Sequence, residues 1–129
     1  MDFPTLKIGD LVSPVPIIQG GMGVGISLAG LASAAANEGC IGVIAAAMIG
    51  IDEPDVTVNP TDANVRALKR EIRKARSLAD GIIGLNIMVA MTHYADLVRA
   101  SIEEEVDIII SGAGLPMDLP GYLLNGSNP

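Results

Sequence analysis

The chain has 129 residues, half of them apolar, with eight basic side chains against fifteen acidic ones and a net charge of -7. That is enough apolar material for the buried core of one domain, while the acidic balance argues against nucleic acid as a partner, because such binding is driven by Lys and Arg. Phe3, Tyr94 and Tyr122 are the only aromatic residues and Trp is absent, so stacking platforms for bases or sugars are nearly missing.

The opening segment MDFPTLKIGD has no basic stretch followed by an apolar run and does not read as a secretory signal. The single cysteine, Cys40, cannot form an internal disulfide, and the expected compartment is the cytoplasm. Residues 15–19 are short, β-branched and closed by glycine, and they read as a first buried strand with Pro16 tolerable near its start. Gly20, Gly21, Gly23 and Gly25 follow at once.

Ser27 then reads as the cap of a helix with Leu28, Leu31, Ala32 and Ala35 inward, stopped at Gly39. A second strand is expected over 42–47. The most apolar stretch, 40–51, is well short of the roughly 20 residues a spanning helix needs, so no membrane partner is expected. Cys40, between helix and strand, reads as a small buried side chain.

Residues 50–60 are polar and proline-bearing, hence a loop, and Thr61 reads as the cap of a long helix with Val65, Leu68, Ile72, Ala75 and Ala79 on one face. Lys69, Arg70, Arg73 and Lys74 lie outward, and since Glu71 and Asp80 interrupt them, the cluster reads as a solvated face. A third strand is expected over 82–90, a third helix from a Thr92 cap through Val106 with Leu97, Val98 and Ile102 inward, and a fourth strand over 107–111. Glu103, Glu104 and Glu105 are consecutive and point in different directions, so they cannot flank one substrate and read as a solvated helix end.

Strands apolar on both faces, alternating with amphipathic helices, indicate parallel βα units. Two architectures fit, an open doubly wound sheet and a (β/α)₈ barrel. In the first, Gly21, Gly23 and Gly25 would form a dinucleotide fingerprint, but the spacing is G-x-G-x-G, and Ala45, Ala46 and Ala47 stand where an acidic ribose partner is expected. In the second, ligands sit at the C-terminal strand ends, where Gln19 to Met22, Ala46 to Met48, Asn86 to Met88 and Ser111 to Gly114 gather.

Such a lining of small residues, methionines and amides leaves room for a planar ring against the backbone, with Asn86 fixing a polar edge. A buried amide in an otherwise apolar strand must find a hydrogen-bond partner, in a ligand or in neighbouring backbone. Met48 and Met88 read as core filler, whereas Met22, inside the glycine turn, is divided between packing and ligand contact. His93, with no visible partner, reads as a loop or helix-start residue.

The ordered motifs PIIQGGMG, EGCIGVI, GLNIMVA and DIIISGAGLP resemble the nitronate monooxygenase family, formerly the 2-nitropropane dioxygenases, over residues 10–120. The related flavin-type enoyl-acyl-carrier-protein reductases share the framework. The resemblance implies an α/β fold of the (β/α)₈ TIM-barrel type, of which about the first four βα units are present. It further implies an FMN cofactor packed against Gly20, Gly21, Met22 and Gly23 and contacted by Asn86, with Gly112, Ala113 and Gly114 on the substrate side.

The implied reaction oxidises alkyl nitronates through FMN with O₂, giving carbonyl compounds and nitrite. The alternative partners are an enoyl thioester and NAD(P)H; a non-catalytic flavin-binding or assembly module is the third reading. A whole barrel takes about 250 residues and usually grips phosphate with loops after its seventh and eighth strands. The chain therefore reads as an N-terminal half, with the family's catalytic histidine outside it and residues 121–129 a truncated tail. Uncovered strand edges lead us to expect self-association.

Overall fold

The computed structural model describes residues 3–126. It begins with a hairpin that the sequence reading did not anticipate: β1 (Leu6–Ile8) pairs antiparallel with β2 (Leu11–Ser13). Helix α1 (Ala29–Asn37) follows, then β3 (Gly42–Ala45), α2 (Pro60–Leu78), β4 (Ile83–Met88), α3 (Tyr94–Glu103), β5 (Ile108–Gly112) and α4 (Leu119–Gly126). Residues 121–126, expected as part of a tail, thus lie in α4, where Leu119 and Tyr122 pack onto the core; residues 127–129 lie outside the described part.

Strands β3, β4 and β5 form a parallel sheet in chain order, with Ile44 opposite Leu85 and Asn86 opposite Ile110. Alternation sends Ile44, Ile83, Leu85 and Ile87 to the face covered by the helices, where they meet Leu68, Ile72, Leu97 and Val98, all fully buried. Gly84, Asn86 and Met88 point to the other face. The result is a mixed α/β fold with a parallel sheet, helices on one side and, among the described residues, no closure into a barrel.

The expected first strand is present as a single parallel bridge, Ile18 to Ile41, rather than over residues 15–19. The reason is visible along the edge of β3, whose N–H groups at residues 41, 43 and 45 are all used. Ile41 N donates to Ile17 O at 3.0 Å, Val43 N to the side-chain Oε1 of Gln19 at 2.8 Å, and Ala45 N to Ser27 O at 2.9 Å. The chain leaves the sheet at Gln19, and its amide takes the place of the missing carbonyl.

Helix starts differ from the sequence reading. Ser27 does not cap α1, whose N-cap is Leu28 and makes no side-chain cap bond. The N-terminus is served instead from α2: buried Glu71 accepts from Ala29 N at 3.1 Å. Helix α2 begins with Pro60, which needs no N–H partner there, so Thr61 lies inside it. Helix α3 starts at Tyr94 after His93, not at Thr92.

The basic face of α2 is solvated but paired. Lys69 meets Glu103 at 2.5 Å, Arg70 meets Glu53 at 2.5 Å, Arg76 meets Asp107 at 2.9 Å, and Arg73 grips both oxygens of Glu104, at 2.8 and 2.5 Å. Glu103 and Glu105 are exposed, as a solvated helix end implies, but Glu103 and the partly buried Glu104 also tie α3 to α2. Arg73 holds the Glu104 carboxyl below its ordinary value of 4.5, and Arg70, followed by Arg66, does the same for Glu53.

The folded state therefore binds fewer protons than the unfolded chain in this range, and stability present above pH about 4.5 is lost as pH falls through the depressed values. Urea midpoints measured between pH 7 and pH 3 should fall, less steeply for Glu104→Gln; parallel curves for the two proteins would contradict the assignment.

Candidate functional site

The glycine turn after Gln19 folds onto the C-terminal ends of β3 and β4. A Cβ on Gly21 would lie 2.8 Å from Asn86 Cβ, and one on Gly23 would lie 2.8 Å from Ala47 Cβ and 3.0 Å from Ala47 O. Val24 N donates to Ala47 O at 2.9 Å. These two positions are thus small because protein neighbours approach them, while Gly20 and Gly112 have open space on their Cβ side. The turn, Ala47 and Asn86 form one cluster.

Asn86 is partly buried, and its Nδ2 donates to Ile110 O across the sheet at 3.3 Å, a long contact that is the only side-chain bond it makes among the described residues. Its Oδ1 is left as an acceptor beside Gly21. Residues 112–114 adjoin Val89 rather than the glycine turn: Gly112 O accepts from Val89 N at 2.8 Å, and a Cβ on Gly114 would sit 3.0 Å from Val89 Cβ.

Met22, Met48 and Met88 are 63%, 52% and 39% exposed, so the reading of Met48 and Met88 as core filler is corrected: all three form an apolar rim at these strand ends. Three non-glycine residues there adopt left-handed backbone, Val24 with φ 55°, Met48 with φ 55° and Ala113 with φ 54°. Such conformations are uncommon outside glycine, and for a β-branched valine they are outliers that gather at functional sites. Nothing in the sequence announced them.

His93 precedes α3 as its N-cap at the same end of the sheet, and its Nε2 is buried without a hydrogen-bond partner among the described residues. Cys40 is partly exposed. It borders a cavity of about 390 Å³ at the opposite, N-terminal strand ends, beside Gly39, Ile82 and the Arg76–Asp107 ion pair. No cluster of His, Cys, Asp and Glu suited to a metal occurs among the described residues, and no described helix is long and apolar enough to cross a membrane.

A parallel βα sheet whose carboxyl-end loops converge on a glycine turn, an amide and an apolar rim defines a protein of the class that receives ligands at the ends of its strands. The family profile of nitronate monooxygenase matches residues 6–118, and the chain belongs to that family, one of oxidoreductases. No curated protein matches it.

Among solved structures it is similar to FabK from Thermotoga maritima, with 27% identity and a TM-score of 0.65 over 88% of this chain and 32% of that one. It is also similar to a point mutant of the same protein, with 28% identity and a TM-score of 0.65 over 88% of this chain and 33% of that one. The chain spans about a third of the length of these structures.

Proposed function

We propose that the glycine turn and Asn86 form the ring side of an FMN site, within a (β/α)₈ barrel oxidoreductase that converts alkyl nitronates and O₂ to carbonyl compounds and nitrite. The observation that carries the flavin reading is the junction of Gly20 to Gly23 with Asn86: a glycine-rich backbone, open at Gly20, beside an amide whose Oδ1 is unspent. A flat ring with a polar edge matches that surface. FMN, when bound, supplies the electron transfer between substrate and O₂.

The chain's own residues bind and shield. Gly20 and the backbone of residues 21–23 offer a flat contact, Asn86 offers an acceptor and a second Nδ2 hydrogen, and Met22, Met48 and Met88 keep water from the ring's edge. Gly112, Ala113 and Gly114 border the substrate side. The fit is to the ring alone: segments 20–28, 46–59, 89–93 and 113–118 contain neither Lys nor Arg, so they offer the phosphate no cation.

Titrating the chain with FMN while following flavin fluorescence and the visible spectrum tests this reading. Saturable quenching is expected, weakened about tenfold in Asn86→Ala, the effect of one lost hydrogen bond to a ligand. An undiminished affinity in the variant would remove Asn86 from the site, and a flat titration of the wild type would remove the flavin reading.

The similarity to FabK favours a second reading, a flavin-dependent enoyl-thioester reductase. Oxygen uptake with a nitronate supports the first; NAD(P)H consumption with an enoyl thioester supports the second. We further propose that the chain self-associates through the outer edge of β5 and the exposed Ile17 and Ile18, as unpaired strand edges do. Light scattering should show a dimer or larger, and a clean monomer would contradict it.

A further inference from the structure

The residue that leaves the sheet early, Gln19, makes hydrogen bonds that account for the shape of the glycine turn. Its orientation is fixed by chemistry: Val43 N–H is a donor, so the atom facing it at 2.8 Å must be Oε1. Nε2 then points at the turn, where its two hydrogens go to Gly20 O at 2.5 Å and Ser27 Oγ at 3.2 Å.

Ser27, buried to 1% exposure, completes the network. Its Oγ accepts from Met22 N at 2.9 Å and donates to Gly20 O at 3.3 Å, while its backbone N donates to Met22 O at 2.9 Å. The hydroxyl's one hydrogen and two lone pairs are all used, as are both lone pairs of Gly20 O. Met22 is therefore held by its N–H and its C=O, and Gly20 by its carbonyl, from one amide and one serine anchored on β3.

Those are the residues that border the open side of the turn. We infer that Gln19, acting with Ser27, is the positioning residue of the flavin-facing turn: it contacts no cofactor itself but sets the backbone surface from Gly20 to Met22 against which the ring lies. This inference rests on the flavin reading above. The turn also rests on Asn86 and Ala47 through Gly21 and Gly23, but the Gly20 carbonyl and both polar groups of Met22 are held by the Gln19–Ser27 network, and a fully satisfied polar network specifies a single arrangement.

Ser13 supplies the control. Its Oγ shares its one hydrogen between Gly39 O and Val15 O, both at 2.8 Å, at the far end of the same segment, so Ser13→Ala removes a buried side-chain hydrogen bond without touching the turn. In the full chain, Gln19→Met keeps length and volume but loses every polar contact. It is expected to weaken FMN binding about tenfold and to move the bound flavin's visible band toward that of free FMN, while Ser13→Ala stays within about twofold of wild type.

Equal weakening in both variants would make the effect one of general stability and overturn the inference, as would wild-type affinity and an unchanged band in Gln19→Met. Should Gln19→Met fail to fold, Ser27→Ala, which spares the Val43 bond, decides by the same comparison with Ser13→Ala. A wild-type chain that does not bind FMN removes the flavin reading and this inference together; a wild type that binds while the variants bind equally removes this inference alone.

Discussion

Gly42→Ala is expected to destabilise the protein by about 3 kcal/mol or more, the upper end of what overpacking a core does. Helix α1 crosses the start of β3 so closely that a Cβ at this position would lie 1.8 Å from Ala32 O and 2.6 Å from Ala32 C. The obstacle is helix backbone, which has no rotamer to turn aside. The inward face of α1, Ala29, Ala32, Ser33 and Ala36, is built of small side chains, so there is little there to shorten.

Relief therefore requires α1 to lift from the sheet, opening its contact with β4 and α2 as well. Urea denaturation followed by far-UV circular dichroism measures this directly, and a loss under about 1 kcal/mol would show that the helix can slide without consequence.

Glu71→Ala should lower stability by about 2 kcal/mol, since it leaves the Ala29 N–H at a buried helix start without an acceptor and removes a negative charge from the positive end of α1. Glu71→Gln retains an acceptor and should lose about half as much. The same denaturation experiment separates the two contributions. Equal and negligible losses in both variants would mean that α1 needs no partner from α2.

Helices α1 to α3 and the later strands were legible because their apolar periodicity is strong: Leu68, Ile72 and Ala75 of α2 and Leu97 and Val98 of α3 are all buried as their spacing implies, whereas α4 was expected as a tail. Features that depend on distant partners were not. Glu71 looked like a break in a basic surface because nothing local shows that α1 starts beside it.

Ser27 looked like a helix cap because serine before an apolar run usually is one, yet the Met22 N–H and Gly20 carbonyl claim its hydroxyl. The hairpin has a local signal in the sequence, a Gly-Asp pair between two short apolar runs, with Gly9 at φ 59° as a two-residue loop demands. At the site, the glycine cluster and Asn86 stood out by composition and do come together. The left-handed Val24, Met48 and Ala113 could not be read, since their residue types prefer other conformations.

Those three residues sit on three different strand-end loops, and each conformation costs about 1–3 kcal/mol to hold. The strain is present before any ligand arrives, so the rim has little conformational entropy left to lose when one does. Relaxing a single loop, as Val24→Gly would, makes that conformation easy for the chain to hold and equally easy for it to leave. The rim is thus a surface whose rigidity is carried by the fold at rest.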